Sequence, residues 1–199
     1  MSGLAARLSE IDGRIAEAAR QAGRDPGEIT RIVVTKFHPA SLVTELHALG
    51  VRDVGENRQQ ELTAKREHLA AAGEPAAEEL RWHFIGQAQT KKSGAIRRAA
   101  SAVHSIDRDR LADALHRASS GEPGDVLDVL VQINLTDDPG RGGVQPGQAE
   151  ALAEHVLALD SLRLRGVMAV APLDGDPAAA FAELRSVADR VRSLAPDAD

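Results

Sequence analysis

Short segments that predict strands, most of them apolar, alternate with helix-favouring segments six times along this chain, after an opening amphipathic helix predicted over residues 3–22. The runs that predict strands cover residues 32–34, 52–55, 80–85, 102–106, 126–135 and 162–170. Strands separated by helices pair in parallel, because the chain needs a long crossover to return to the same end of the sheet. The alternation therefore predicts an α/β fold built on a parallel sheet.

Two architectures fit this order of elements, and the pattern alone leaves both open. One is an open doubly wound sheet, for which six strands suffice. The other is a (β/α)8 barrel, for which the chain supplies about six of the eight strand–helix units and an extra N-terminal helix. No long linker or low-complexity segment interrupts the chain, so we expect a single domain over residues 1–199.

Turn and capping residues place the helices between these strands. Helices are predicted over residues 40–49, 58–72 and 108–118, and from the end of the third strand to about residue 100. Asp107 is expected to cap the helix at 108, and Gln145-Pro146 marks the start of the next helix. Asp176 before Pro177 predicts the start of a last helix that runs to about residue 194.

The composition excludes several classes of protein and of site. Acidic residues outnumber Lys plus Arg by 30 to 24, which disfavours a nucleic-acid binder. The chain contains no Cys, which excludes disulfides, thiolate metal sites and cysteine nucleophiles, and we recognise no other metal cluster. No segment is apolar enough to span a membrane, and the N-terminus has no signal-peptide core. We expect a cytoplasmic protein with neither nucleic acid nor membrane as a partner.

Lys36 is the most informative residue among those that end the predicted strands. It follows the run Ile32-Val33-Val34-Thr35 and is one of four lysines in the chain. In both architectures functional groups collect at the carboxyl ends of the strands. A lysine made neutral by burial or by a nearby cation can attack a carbonyl and form a Schiff base. From position alone, a lysine whose amine simply reaches the solvent is the more common case.

Two further positions at the strand ends could carry function, and each has a structural alternative. Asn57 could contact a ligand, or it could cap the helix that follows it. His83 lies between Trp82 and Phe84, whose side chains a strand points to the opposite face. For His83, a histidine satisfied within the core is the simpler interpretation.

Other patterns predict less about function. His104 and Ser105 are adjacent on a strand and point to opposite faces, which argues against a base–nucleophile pair. The loop Gly140-Arg141-Gly142-Gly143 could approach an anion, but a flexible surface loop is the simpler interpretation. The sequence has no Walker A, G-x-G-x-x-G, H-E-x-x-H or G-x-S-x-G motif.

Six segments follow one another in a recognisable order along nearly the whole chain. They are VVTK at 33–36, GVRDVGEN at 50–57, WHFIGQAQTKK at 82–92, VHSID at 103–107, VQIN at 131–134 and LRGVMA at 164–169. In this order they resemble the pyridoxal phosphate homeostasis protein family, whose fold is similar to the barrel domain of alanine racemase. The resemblance favours the (β/α)8 barrel over the open sheet, and the Schiff-base interpretation of Lys36 over the solvent-exposed one.

The resemblance implies a cofactor, a role and four site residues. The family binds pyridoxal 5′-phosphate as a Schiff base and is thought to buffer or deliver it, without a robust catalytic reaction. Lys36 matches the Schiff-base lysine. By the same resemblance Asn57 lies near the cofactor, and His83 and Met168 line the mouth of the barrel. The implied partners are pyridoxal phosphate and pyridoxal-phosphate-dependent apo-enzymes, with the chain a monomer or a weak homodimer.

The chain departs from the family pattern at three places. His38 stands where some members have a second lysine, and Arg141 where some have a lysine in the loop after the fifth strand. An arginine stays protonated and cannot relay a Schiff base. The family also continues with stretches that hold the phosphate and the pyridine nitrogen, whereas this chain stops at Asp199. We therefore expect C-terminal strand–helix units to be missing and the barrel to be open.

Two other functions stand as alternatives to a non-catalytic carrier. A pyridoxal-phosphate-dependent racemase, or another fold-type III enzyme, needs an acid or base on each face of the substrate carbanion. Alanine racemase supplies one of these groups as a tyrosine from a separate domain, and this chain contains no Tyr. A Schiff-base aldolase would use the Lys36 amine directly, without the cofactor.

Overall fold

Six parallel strands form a single sheet in the computed structural model, which describes residues 3–136 and 138–195. The strands are β1 (Val33–Val34), β2 (Asp53–Glu56), β3 (Arg81–Phe84), β4 (Ala102–Ile106), β5 (Leu127–Ile133) and β6 (Leu162–Ala169). Each strand pairs with the next one along the chain, so the order across the sheet never reverses. Because a doubly wound sheet reverses its order at one point, the doubly wound alternative is wrong. The arrangement is that of a barrel, with six strand–helix units.

The helices of the described residues lie close to their predicted positions. They are α1 (Gly3–Gln21), α2 (Ala40–Ala48), α3 (Gln59–Ala71), α4 (Ala76–Glu79), α5 (Ser93–Ala99), α6 (Asp109–Arg117), α7 (Ala149–Leu157) and α8 (Pro177–Arg192). Helix α4 was not predicted by the pattern. Residues 86–89 were predicted to be helical and are not. None of the described helices is long and apolar enough to cross a membrane.

The two faces of the sheet carry different side chains. Parallel strands that advance in one direction with right-handed crossovers place their helices on the same face. On this outer face apolar residues are buried beneath the helices, among them Val54, Trp82, Phe84, Val103 and Val129. The opposite face, which we call the inner face, carries the hydrogen-bonded side chains of Asp53, His83, His104 and Asp128. The predicted alternation of Trp82 and Phe84 against His83 is confirmed.

The caps of the helices follow one prediction and contradict another. The Asp176 carboxylate accepts a hydrogen bond from the Ala178 amide at 2.9 Å and caps α8, as predicted. The prediction for Asp107 is wrong, because Arg108 occupies the capping position of α6 and makes no side-chain capping bond. Asp107 lies one residue too early to reach the free amides of α6, and its carboxylate pairs with the Arg108 guanidinium instead.

Candidate functional site

Lys36 and Asn57 lie next to each other at the carboxyl end of the sheet. Val34 of β1 pairs with Gly55 of β2, and the Thr35 amide donates to the Gly55 carbonyl oxygen at 2.9 Å. Lys36 and Asn57 follow Val34 and Gly55 by two positions each, just beyond the ends of β1 and β2. The register therefore brings together two of the four predicted site residues.

The Lys36 amine is half-buried and has no hydrogen-bond or ion-pair partner among the described residues. Its Nζ atom lies 5.9 Å from the centroid of the Phe37 ring. The guanidinium carbon of Arg58 lies 5.1 Å from the same centroid. A primary amine at a strand end, unpaired and partly shielded from water, is a group that can react with a carbonyl.

The backbone just before Lys36 is held by a buried ion pair. Glu56 is fully buried at 0% exposure, and its carboxylate pairs with the Lys65 ammonium of helix α3. The Thr35 hydroxyl donates to Glu56 Oε1 at 2.6 Å, and Lys65 Nζ donates to the Thr35 carbonyl oxygen at 2.7 Å. Buried charges need partners because water does not solvate them. The cluster of Glu56, Lys65 and Thr35 therefore fixes helix α3 against the end of β1.

The backbone just after Lys36 is strained. Phe37 has φ = 67°, which is the left-handed region that a bulky side chain rarely adopts. Such a conformation costs about 1–3 kcal/mol and occurs mainly where the surroundings enforce it, often at functional sites. Here the Phe37 amide donates to Glu61 Oε2 at 3.1 Å, although the Phe37 ring is 70% exposed.

Asn57 does not cap the helix that follows it, so the capping alternative is wrong. Arg58 occupies the capping position of α3, again without a side-chain capping bond. The Asn57 backbone instead packs against Gly86, whose missing side chain leaves room for it. In the described part of the chain the buried Oδ1 atom of Asn57 has no hydrogen-bond partner. A ligand with a complementary polar group would satisfy this amide.

We expect Gly86→Ala to destabilise the protein and to displace Asn57. A Cβ atom at Gly86 would lie 2.0 Å from the Asn57 carbonyl oxygen, so the backbone of one strand end must move. The expected loss is about 1–3 kcal/mol or more in the free energy of unfolding, measured by urea denaturation.

Gly94→Ala is the matched control for this change. In helix α5 a Cβ at Gly94 would meet only the flexible end of Arg98 at 3.4 Å. An alanine in a helix should be neutral or stabilise the protein by about 0.5–1 kcal/mol. Equal stability of the two variants would contradict the close approach of Asn57 to Gly86.

His83 lies deeper in the barrel than Asn57, and both of its ring nitrogens are used. His83 Nε2 bonds Asp53 Oδ1 at 2.8 Å, and His83 Nδ1 bonds His104 Nε2 at 2.9 Å. The structure therefore shows the satisfied core histidine that the sequence favoured. Contact between His83 and a ligand stays a prediction, and it would have to use the ring carbons rather than the nitrogens.

The histidine pair makes stability depend on pH. Burial lowers the pKa of His104 to about 4, and the charge of neighbouring His83 contributes to the shift. The unfolded chain, with an ordinary histidine pKa of about 6.5, binds more protons than the folded chain between these two values. Stabilisation by neutral His104 is therefore complete above pH 6.5 and is lost progressively as the pH falls toward 4.

We expect His104→Gln to flatten this acid-side loss of stability. In the wild type His104 adds a slope of up to about 1.4 kcal/mol per pH unit, which the glutamine variant lacks. Urea denaturation of both proteins between pH 4.5 and 7 measures the difference, with exposed His68→Gln as control. Identical pH slopes for wild type and His104→Gln would count against a depressed pKa at His104.

Met168 lies across the sheet from Lys36. It pairs with Gln132 where β5 and β6 run together, and it is half-buried near the carboxyl end of β6. Since β1 and β6 are the two edges of the sheet, Met168 and Lys36 are not neighbours along it. The structure thus places Lys36 and Asn57 side by side, His83 one strand further and deeper, and Met168 at the opposite edge.

The glycine-rich loop after β5 packs onto the same end of the sheet. Gln132 Nε2 donates to the Arg141 carbonyl oxygen at 3.2 Å, and Val144 returns to bond the backbone of β5. Gly142 is buried, and a Cβ there would lie 3.3 Å from Gln87 Nε2. The expectation of a flexible surface loop is wrong for Gly142, because this residue is buried against side chains at the strand ends.

Two residues of helix α3 that contact the neighbours of Lys36, Glu61 and Lys65, were not predicted from the sequence. One signal was available, because Leu62, Lys65 and Leu69 recur at helical spacing on the buried face of α3. A lysine on such a face needs a buried partner. That partner is Glu56, which lies at the end of strand β2 and outside helix α3. The helical periodicity of α3 therefore does not reveal it.

Comparisons with known proteins agree with this fold. A family model described as alanine racemase, N-terminal domain, matches residues 7–198. A protein of Mycobacterium tuberculosis named pyridoxal phosphate homeostasis protein is 40% identical in an alignment of 203 positions that covers 96% of this chain and 79% of that protein. A protein of Pseudomonas aeruginosa with the same name is 40% identical in an alignment of 191 positions that covers 94% of this chain and 80% of that protein.

Solved structures show the same similarity. PipY of Synechococcus elongatus with pyridoxal phosphate bound has a TM-score of 0.73 and 32% identity, covering 92% of this chain and 84% of PipY. Alanine racemase of Corynebacterium glutamicum has a TM-score of 0.58 at 14% identity, over 84% of this chain and 46% of the racemase. At that identity the similarity to the racemase concerns the fold alone. These structures confirm the barrel of the alanine racemase N-terminal-domain type.

Proposed function

This chain belongs to the pyridoxal phosphate homeostasis protein family, and on that premise we propose that it binds pyridoxal 5′-phosphate as a Schiff base on Lys36. We further propose that it buffers or carries the cofactor without robust catalysis. The observation that carries this proposal is the Lys36 amine, half-buried at the carboxyl end of β1 and unpaired within the described residues.

The residues around Lys36 fit the chemistry of this cofactor. Pyridoxal phosphate supplies an aldehyde that condenses with a neutral primary amine, next to a polar substituted ring. The amide oxygen of Asn57 lies at the end of the neighbouring strand and is buried without a hydrogen-bond partner among the described residues. We propose that Asn57 orients the ring and that Met168 supplies apolar contact from the far edge.

The chain's own residues hold the amine in place. Lys65 and Glu56 fix the carbonyl and the hydroxyl of Thr35, so the peptide that leads into Lys36 cannot rotate freely. Lys36 itself keeps its amine free of ion pairs within the described residues, which leaves its nitrogen available to a carbonyl. Holding the reacting nitrogen near one position is a large part of what a protein contributes to such a reaction.

The alternative of an amino-acid racemase is less well supported by these residues. Racemisation needs a second acid or base opposite Lys36. The chain has no Tyr, and the inner-face histidines His83 and His104 are bonded to each other. A carrier needs only the reversible attachment of the cofactor, which one amine provides. Apo-enzymes as recipients, a monomer or weak homodimer and a cytoplasmic location stay predictions of the same proposal.

The test is to mix the purified protein with pyridoxal phosphate, reduce it with borohydride and measure its intact mass and peptide map. We expect visible absorbance before reduction, its loss on reduction, and a single adduct on Lys36. An adduct spread over other lysines, or none at all, would overturn the proposal. Interconversion of D- and L-alanine at enzyme-like rates would favour the racemase. Trapping of a small keto compound without the cofactor would favour the aldolase.

A further inference from the structure

Helix α3 contacts the residues on both sides of Lys36, while Lys36 itself is left unpaired among the described residues. Lys65 Nζ donates to the Thr35 carbonyl oxygen at 2.7 Å, and Glu61 Oε2 accepts from the Phe37 amide at 3.1 Å. Glu61 and Lys65 are four residues apart and therefore lie on the same face of the helix. One turn of α3 thus forms hydrogen bonds to the residue before Lys36 and to the residue after it.

The contact with Glu61 is the one that holds a strained residue. Phe37 is in the left-handed region at φ = 67°, and its exposed ring gains little from burial. The Glu61 carboxylate is itself oriented, because its Oε1 accepts from Arg58 Nη1 at 3.3 Å while Oε2 accepts from Phe37. Arg58 also lies over the Phe37 ring, so the three side chains form a closed cluster beside Lys36.

The left-handed turn at Phe37 determines where Lys36 points. The chain leaves β1 and reverses within three residues, and the His38 amide donates to the Thr35 carbonyl oxygen at 3.1 Å across the turn. If Phe37 relaxed to an ordinary backbone conformation, this turn would open and the side chain of Lys36 would change its direction. The strain is thus located at the residue that directs the amine.

We propose that Glu61 is a positioning residue for Lys36. Its carboxylate holds Phe37 in the left-handed conformation, and the resulting turn fixes the direction of the Lys36 amine. Glu61 acts through the Phe37 backbone and does not touch the cofactor. The inference rests on the proposed function for the reaction that Lys36 performs. The hydrogen bond from the Phe37 amide to Glu61, which we call the clamp, is a property of the protein alone.

The clamp is tested first without any cofactor. Hydrogen exchange of the Phe37 amide, resolved by NMR, should be at least about tenfold faster in Glu61→Ala than in the wild type, because its acceptor is gone. Glu67→Ala is the matched control, since Glu67 is an exposed glutamate on the same helix. Equal protection of Phe37 in Glu61→Ala and in the wild type would overturn the inference.

The second test measures how fast Lys36 reacts with pyridoxal phosphate, followed by visible absorbance after rapid mixing. Misplacement of a reacting group by about 1 Å can cost up to a hundredfold, so we expect the Glu61→Ala rate to fall about ten- to a hundredfold. Glu61→Gln should stay within about threefold of wild type, because its amide oxygen still accepts the Phe37 hydrogen bond. Glu67→Ala should react like the wild type. A wild-type rate in Glu61→Ala would overturn the inference.

Phe37→Gly separates positioning from a general loss of structure. Glycine adopts the left-handed conformation without strain and needs no clamp. The effect of Glu61→Ala should therefore largely disappear in the Phe37→Gly background, as a double-mutant cycle. An undiminished effect in that background would contradict the mechanism. If the wild type forms no Schiff base, the proposed function fails, and the exchange of the Phe37 amide alone decides whether the clamp exists.

Discussion

Lys36→Ala is expected to abolish the coloured complex with pyridoxal phosphate and to leave the fold intact. The chain has four lysines, and the structure describes all of them. Lys65 is committed to the Glu56 carboxylate, and Lys91 and Lys92 belong to a short turn after β3 rather than to the end of β1. With the nucleophile removed, the reduced adduct should fall to below about 1% of the wild-type amount.

The stability of Lys36→Ala should stay within about 0.5 kcal/mol of wild type, because Lys36 is only half-buried and forms no ion pair with the described residues. Borohydride reduction followed by mass spectrometry measures the adduct, and urea denaturation measures the stability. Lys91→Ala is the matched control and should bind like the wild type. Lys36→Arg should fail like alanine, since an arginine stays protonated. Wild-type absorbance in Lys36→Ala would show that another group carries the cofactor.

Lys65→Met is expected to cause the largest loss of stability of the changes considered. It leaves the Glu56 carboxylate buried without its cation, and Glu56 Oε2 already lacks a hydrogen-bond partner among the described residues. The Thr35 carbonyl oxygen also loses its donor. Removing one partner of a buried pair typically costs about 3–5 kcal/mol, which here would lower the free energy of unfolding in urea.

The double variant Glu56→Gln/Lys65→Met distinguishes the buried charge from lost packing. Without the carboxylate there is no uncompensated charge, so the double variant should recover a large part of the loss seen in Lys65→Met. The Thr35 hydroxyl can still donate to the glutamine oxygen. Lys91→Met, at an exposed lysine, should change the stability by less than about 0.5 kcal/mol. A double variant as unstable as Lys65→Met would attribute the effect to packing instead.

Local patterns in the sequence predicted most elements of the fold. The predicted strand over residues 102–106 coincides with β4, and the cap at Asp176 is correct because capping depends on neighbouring residues only. The wrong cap at Asp107 is a local error of one residue at a helix boundary, whereas another error falls where distant residues meet. Residues 86–89 are not helical, and in this segment Gly86 packs against the Asn57 backbone, a contact that no periodicity within the segment reveals.

The sequence was also sufficient to predict part of the candidate site. Lys36 and Asn57 each follow a predicted strand, and parallel pairing was enough to expect both at the carboxyl end of the sheet. The supporting residues could not be found in this way. Glu61 contacts Phe37 across 24 positions and Lys65 contacts Thr35 across 30 positions of the chain.

The amino-acid order alone was sufficient for the alternation of strands and helices, for the parallel pairing and for the place of Lys36 at the end of the first strand. These depend on interactions between near neighbours, such as hydrophobic periodicity and capping. Three matters needed the folded chain: the unreversed order of strands, the partner of the buried Lys65, and the strained turn at Phe37. Each arises from contacts between segments that are distant in the chain, whose free energies no local pattern contains.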